Sequence, residues 1–406
     1  MPIATITLDP RDPTFTADPY PAYARLRADS PIARWPALGV VCFSRHAEVN
    51  ALLRDRRFGR QILHRATREE LGWPEPQPHL APFDAFEAHS LLELEPPAHT
   101  RIRALVNPPF VLRVIGRLLP DIEQLAHALI DDLADRREFD LLDDFARHLP
   151  VLVIAGFLGV RAAMAPQLLT WSHDMVAIYQ VKRDRAIEDR AVAATVEFSA
   201  WMRDEIAQRR AHPGNDVISQ LLAARTPTGD QLSTDELVTT AILLLNAGHE
   251  ATVHAIGNGI TALLTHHPST ARDAFLADPV TVSEEMLRFD PPLHLFTRYA
   301  LEDLEFAGHA FKKGDKVGLL LASANRDETR FPAADRFVLD RSPNPHVAFG
   351  AGIHACVGAP LARLELRTAV RVLFERLPGL RLVREPGVAD TWHFRGRVGV
   401  RAAGNP

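Results

Sequence analysis

Phe349-Gly350-Ala351-Gly352-Ile353-His354-Ala355-Cys356-Val357-Gly358 carries one of the two cysteines in this 406-residue chain. No packing argument asks for a cysteine among glycines. Glycines at 350, 352 and 358 let the backbone turn tightly and approach a flat group closely. A helical run, Leu361 to Leu373, follows. The sulfur therefore lies just before a helix N-terminus, where the dipole favours an anionic thiolate. Backbone N–H groups beside it would tune its donation to a metal. Cys42 differs. It sits in the β-like run Gly39-Val40-Val41-Cys42-Phe43 and reads as a small buried apolar residue. Two thiols do not make a disulfide framework, although counting alone leaves a bridge between them open.

Around this loop the chain is ordinary. It is 47% hydrophobic with a formal charge of −5, and its basic residues are nearly all scattered arginines. That argues against nucleic acid as a partner. No apolar stretch reaches ~18 residues, so no membrane span is expected. Met1 to Pro10 lacks the pattern of a signal peptide, so a cytoplasmic location is expected. There is no internal repeat or linker. The expectation is one domain over residues 1–406, mainly α with a minor β region.

A helical pattern covers Pro21 to Ala28, followed by short strands at Ile32 to Trp35 and Val40 to Phe43. Gly72 to Pro97 reads as a long loop with one short helix near Phe83 to Ala88. From Thr100 to about Ala224 the pattern is helical. Ser233-Thr234-Asp235-Glu236 has the form of a capping box. It opens a helix of about 32 residues, roughly 48 Å long at 1.5 Å per residue, that stops at His266-His267-Pro268. After Asp290-Pro291-Pro292, strands are expected at Leu293 to Ala300, Leu304 to Ala307 and Lys316 to Leu321, with a late one over Trp392 to Val400.

The cysteine decapeptide resembles the haem-binding signature of the cytochromes P-450, and the resemblance extends from about Asp18 to Val400. It implies that fold, a triangular, mainly helical domain around a buried haem. It also implies a metal-ligating Cys356 thiolate that pushes electron density toward bound dioxygen, with Phe349, Gly350, His354 and Gly358 around it. Glu285-Met286-Leu287-Arg288 alone would read as a surface ion pair. By its place it resembles the family's Glu-x-x-Arg, with Asn325-Arg326-Asp327 and Phe331 to Phe337 as the meander it locks. Four further cations match the partners of the haem propionates: His99 and Arg103 on one helix face, Arg298 on the strand after Pro291-Pro292, and His354.

The middle of the long helix reads Leu243-Leu244-Leu245-Asn246-Ala247-Gly248-His249-Glu250-Ala251-Thr252. Small residues at Ala247 and Gly248 leave room for something flat or for a bound diatomic; close helix packing is the other reading. The family pattern here keeps Ala247, Gly248, Glu250 and Thr252 but expects a threonine where Ala251 stands. That threonine and the preceding acid deliver protons to bound dioxygen. Three explanations remain open: a substrate hydroxyl or ordered water supplies the group, Thr252 reaches in, or peroxide is the preferred oxidant. Adjacent helical residues point ~100° apart, which weighs against Thr252. Residues 243, 246, 247, 250 and 251 share one face, so Asn246 should face the cavity. His249 lies off this stripe and receives no role.

By resemblance the substrate walls include Phe83, Phe86, Met175, Tyr179, Leu243, Leu293, Leu295 and Phe296. They suit a small organic molecule with an apolar body and a polar group. The implied activity is a monooxygenase (an oxidoreductase) using haem b, dioxygen and external electrons. No flavin or dinucleotide motif is present, so a separate ferredoxin or flavodoxin with its reductase is expected, meeting a monomer at a basic patch that includes Arg101, Arg113 and Arg363. A peroxygenase, a non-redox rearrangement catalyst and a haem-based sensor are the alternatives.

Overall fold

The long helix organises the molecule. In the computed structural model, which describes residues 3–133 and 136–404, it spans Thr234–His266. The Ser233 hydroxyl accepts from the Glu236 N–H at 3.1 Å, and the Glu236 carboxylate accepts from the Ser233 N–H at 2.8 Å. This reciprocal cap satisfies two N–H groups the helix start would otherwise leave bare. Helices His148–Leu158, Arg185–Ala211, Pro279–Phe289 and Ala359–Arg376 pack around it. Its stretch from Ile256 to Leu264 is wholly buried, as expected of a helix in a core. Among the described residues no helix is long and apolar enough to cross a membrane.

The β part lies to one side. A six-stranded sheet runs in the order Ala4–Thr5, Ile32–Trp35, Val40–Phe43, Lys316–Leu320, Leu295–Ala300, Phe58–Gly59. Val40–Phe43 pairs parallel with Lys316–Leu320, placing Cys42 opposite Gly318. Cys42 is buried, and both it and its distant counterpart in the glycine loop are free, so no bridge joins them. Leu295–Ala300 pairs antiparallel with Lys316–Leu320.

Two expectations need correction. Trp392 to Val400 is not one strand. Its one strand among the described residues is Arg397–Val398, paired with Gly387–Val388, while Arg401–Ala403 belongs to a separate sheet with Arg381–Leu382 and Phe139–Asp140. Gly399, at φ +62° between them, turns the chain out of strand geometry. The helical region after Thr100 is likewise interrupted by Phe139–Asp140 and a π-turn at Leu142–Ala146. The ends of the expected 1–406 domain and of the Met1 to Pro10 segment fall partly outside the described residues.

Glu285 and Arg288 are both fully buried, not a surface pair. Arg288 grips Glu285 with two bonds of 2.7 Å and donates to the carbonyls of Asn325, Ala334 and Arg336. Glu285 also accepts from Arg341 at 2.9 Å and from the Val338 N–H at 2.8 Å. The bidentate geometry and the carbonyl partners compensate two charges that burial would otherwise penalise. The effect is to fix the chain from 325 to 341 against the helix Pro279–Phe289.

Candidate active site

One cavity of about 1220 Å³ separates the glycine loop from the middle of the long helix. That exceeds the usual range for a single small-molecule pocket and leaves room for a macrocycle together with an organic molecule. The loop forms its floor. The Cys356 N–H donates to the Phe349 carbonyl at 2.9 Å, and that of Gly350 donates to Val347 at 2.9 Å. Gly350 and Gly352 take φ of +65° and +72°, a region that favours glycine. A Cβ on Gly352 would lie 2.2 Å from the Leu53 carbonyl oxygen. Cys356 is enclosed by protein on every side except the cavity, to which it is exposed. Burial pushes its thiol pKa up, while the N–H groups of Gly358 and Ala359 and the Arg103 guanidinium pull it back. These are donors for a sulfur that carries charge.

Among the described residues no group of three His, Cys, Asp or Glu side chains could cage a bare ion. A metal bound by Cys356 must therefore bring most of its donors with it, as a macrocycle does. Anionic arms would also find partners. His99 and Arg298 are nearly fully buried. His99 Nε2 has no hydrogen-bond partner, and its ring lies 4.3 Å from that of His354. Among the described residues Arg298 donates only to the Thr297 carbonyl, at 2.9 Å. Burial, with Arg60 adding repulsion, draws it down to about 9. A buried guanidinium without a carboxylate partner is expensive, and an anion would relieve it. Arg103 and His354 line the cavity but are partly claimed: Arg103 donates to the Ala355 carbonyl at 2.8 Å, and His354 Nε2 lies 3.1 Å from Glu95. Haem with its two propionates fits this set.

On the opposite wall Ala247, Gly248, Glu250, Ala251 and Thr252 all line the cavity. Gly248 has a packing reason as well: a Cβ there would sit 3.0 Å from Ile154 Cγ1. The Thr252 hydroxyl donates to the Gly248 carbonyl at 3.0 Å, the usual i−4 habit of helical threonine. Ala251 has only its methyl to offer. Burial alone would raise the Glu250 carboxyl; contact with His249, then His254 and His173, outweighs it and holds the group below its ordinary range. His249, given no role from its helical position, has its Nε2 3.4 Å from Glu250 Oε1.

Phe83, Phe86, Met175, Tyr179, Leu243, Asn246, Leu293, Leu295 and Phe296 all line the same cavity. Leu293 lies just outside the strand, joined to Phe394 by an isolated bridge. Asn246 is buried, with Nδ2 3.7 Å from Met175 Sδ and Oδ1 unpartnered. Sequence reasoning missed Arg60, His173 and His254, which also line it. Arg60 arrives because Phe58–Gly59 pairs with Tyr299 and Ala300, a register no local pattern announces. The basic docking patch is also less free than expected. Arg101 is tied to Glu236, and Arg363 pairs with Glu284 at 2.7 Å, whereas Arg113 is exposed.

Comparison with known proteins agrees with this geometry. The cytochrome P450 family matches residues 60–273 and 281–377. The chain is 36% identical to cytochrome P450 monooxygenase PikC of Streptomyces venezuelae, over 92% of this chain and 87% of that one. It is 37% identical to a vitamin D(3) 25-hydroxylase of Pseudonocardia autotrophica, over 91% of this chain and 89% of that one. Among solved structures, P450BioI in complex with hexadec-9Z-enoic acid ligated acyl carrier protein superposes with a TM-score of 0.89 at 32% identity, covering 97% of this chain and 100% of that chain. With enzymes matching over nine-tenths of its length, the sensor reading loses its ground. The chain belongs to the cytochrome P450 family, and it is a monooxygenase, an oxidoreductase that works with haem iron, dioxygen and reductant electrons on a small organic substrate.

Proposed function

We propose that the chain hydroxylates an elongated, mainly apolar organic molecule, using dioxygen, with a proton supply in which substrate or ordered water stands in for the missing threonine hydroxyl. The observation that carries this reading is the Thr252 hydroxyl, 3.0 Å from the Gly248 carbonyl. Engaged there, it does not refill the place left by Ala251. The group held by Cys356 is haem b. When bound, it supplies the site for dioxygen and the redox chemistry of its activation.

The protein's own residues hold and orient. The Gly358 and Ala359 N–H groups stabilise the thiolate. His99, Arg103, Arg298 and His354 receive the propionates, with Phe349 and Gly350 shaping the floor. Ala247 leaves space where a diatomic would sit. Glu250, with its carboxyl facing the cavity, passes protons inward through water. Glu285 and Arg288 keep the floor in place and take no part in chemistry.

Phe83, Phe86, Leu243, Leu293, Leu295 and Phe296 give the substrate an apolar bed, and Asn246 Oδ1 offers an acceptor for a hydroxyl or N–H. Named relatives suit such a bed, one handling vitamin D(3) and another crystallised with a C16 acyl chain on a carrier protein. Electrons come from a separate ferredoxin or flavodoxin, delivered to a cytoplasmic monomer in which residues 1–406 act as one domain.

Ala251→Thr tests the reading. Product formed per reductant consumed should change several-fold in the variant. Equal coupling in both proteins, or wild-type turnover with peroxide that needs no dioxygen, would turn the assignment toward a peroxygenase. That second reading is favoured by the same lack of a hydroxyl at Ala251.

A further inference from the structure

His249 precedes the cavity acid and is 1% exposed. Its Nδ1 lies 2.8 Å from the Leu245 carbonyl. A carbonyl only accepts, so Nδ1 must carry the hydrogen. In a neutral ring Nε2 would then present a lone pair. What it faces is Glu250 Oε1, at 3.4 Å and short of a formed hydrogen bond, and among the described residues it has no hydrogen-bond partner. Two lone pairs would repel each other across that gap in a site shielded from bulk water. A single hydrogen between them turns the contact into a charge-assisted one, longer here than a mature bond. Catalytic hydrogen bonds are often long before a site is loaded and closed.

We propose that His249 and Glu250 form a proton-holding pair, with one proton kept on His249 Nε2 toward the Glu250 carboxylate, directly beside Ala251. His249 is a positioning residue acting through Glu250. When cavity water takes up a proton, the Nε2 proton moves to Oε1 and Glu250 hands it on to that water, ending as the carboxylate it began as. The ring is left neutral, with Nδ1–H still on the Leu245 carbonyl, and no electrons are transferred. The pair thus supplies a stored proton one residue from the position where the family's hydroxyl is absent. This deepens the dioxygen reading and rests on it. Other titratable groups near Glu250 are His254, one turn further along the same helix, and His173 from the helix Ala165–Ala177; Arg147 in turn neighbours His254.

The test uses haem-loaded protein carrying ring ¹⁵N-histidine, in the diamagnetic ferrous carbon-monoxide form. Spectra of His249→Asn, or of His249→Gln should the first load haem poorly, identify the His249 signals by their disappearance. Both ring nitrogens should be protonated in the wild type. In Glu250→Gln, Nδ1 should stay protonated and Nε2 become bare. A bare Nε2 or a bare Nδ1 in the wild type overturns the proposal. Turnover gives a second arm. In a His249 variant that keeps the thiolate absorption band, product per reductant should fall several-fold, and the pH dependence of that ratio should flatten. An unchanged ratio and profile also overturn it. Absence of dioxygen-driven product in the wild type would sink the functional reading instead, and the nitrogen spectra would still decide the pair.

Discussion

The glycine loop and the middle of the long helix face each other across one cavity, but they are built in opposite ways. The loop is held by its own backbone. Phe349 and Val347 carbonyls accept from Cys356 and Gly350, the turn residues sit at positive φ, and Gly352 has no room for a side chain. Behind it, the buried Glu285–Arg288 pair satisfies nearly every donor and acceptor it brings. The helix wall, by contrast, leaves polar atoms open. Asn246 Oδ1 and His249 Nε2 lack hydrogen-bond partners, and so does the cavity-lining Thr240 hydroxyl. Buried polar groups are normally satisfied, so exceptions ask for an explanation. The difference separates the work of the two walls. Under the proposed function, one would fix a ligand atom in a single place, and the other would keep capacity for molecules that come and go.

The contrast breaks most completely at the sulfur. Cys356→Ala should abolish the reduced carbon-monoxide absorption band typical of thiolate ligation, and turnover with it. Retention of that band would mean that another residue holds the metal. Next is the network behind the loop. Glu285→Ala leaves Arg288 as an uncompensated buried charge and should cost about 3–5 kcal/mol, read as a lowered denaturant midpoint or lost soluble yield.

Two glycines sharpen the comparison directly. Gly352→Ala meets backbone, a Cβ falling 2.2 Å from the Leu53 oxygen at φ +72°, and should destabilise by about 2–3 kcal/mol. Gly248→Ala meets Ile154 Cγ1 at 3.0 Å, a side chain on the cavity border and not backbone, and should cost about 1 kcal/mol. Equal costs in thermal unfolding would remove the distinction between a rigid floor and an adaptable wall.

The smallest effect is electrostatic. Burial alone would raise Glu284, but hydrogen bonds from His346 and Arg363 hold it at about 2. A depressed carboxyl stabilises the fold above its ordinary value near 4.5 and loses that contribution as pH falls toward 2. Its side chain is about a quarter exposed, at 23%, so screening limits the effect. Glu284→Gln should cost about 1 kcal/mol at pH 7, and the gap from wild type should close between pH 4.5 and 2. A gap that stays constant with pH would assign the loss to packing.

The residues to which the proposed function gives most of the chemistry were legible from local pattern. Glycines around Cys356 have no structural use except a tight loop, and the family signature there is specific. The capping box marked the start of the long helix because N-terminal N–H groups need acceptors within three residues. The cavity-facing stripe followed from helical period. The same period misjudged His249, since it gives the direction of Cα–Cβ and not how far a ring swings or what it meets. Arg101 and Arg363 looked like free basic charges because the acids that neutralise them, Glu236 and Glu284, are distant in sequence.

By itself, then, the sequence determined the helical frame, the sulfur framed by glycines and the alanine where a hydroxyl is expected. Each of these is written in the identity and spacing of neighbouring residues. Only the tertiary structure decided that Arg60 joins Arg298, that Glu285 and Arg288 are sealed in the core, and that a histidine ring meets the cavity acid. Those outcomes depend on strand register and helix docking. Both are set by the packing of the whole chain, where contacts between residues tens to hundreds of positions apart fix what each polar atom faces.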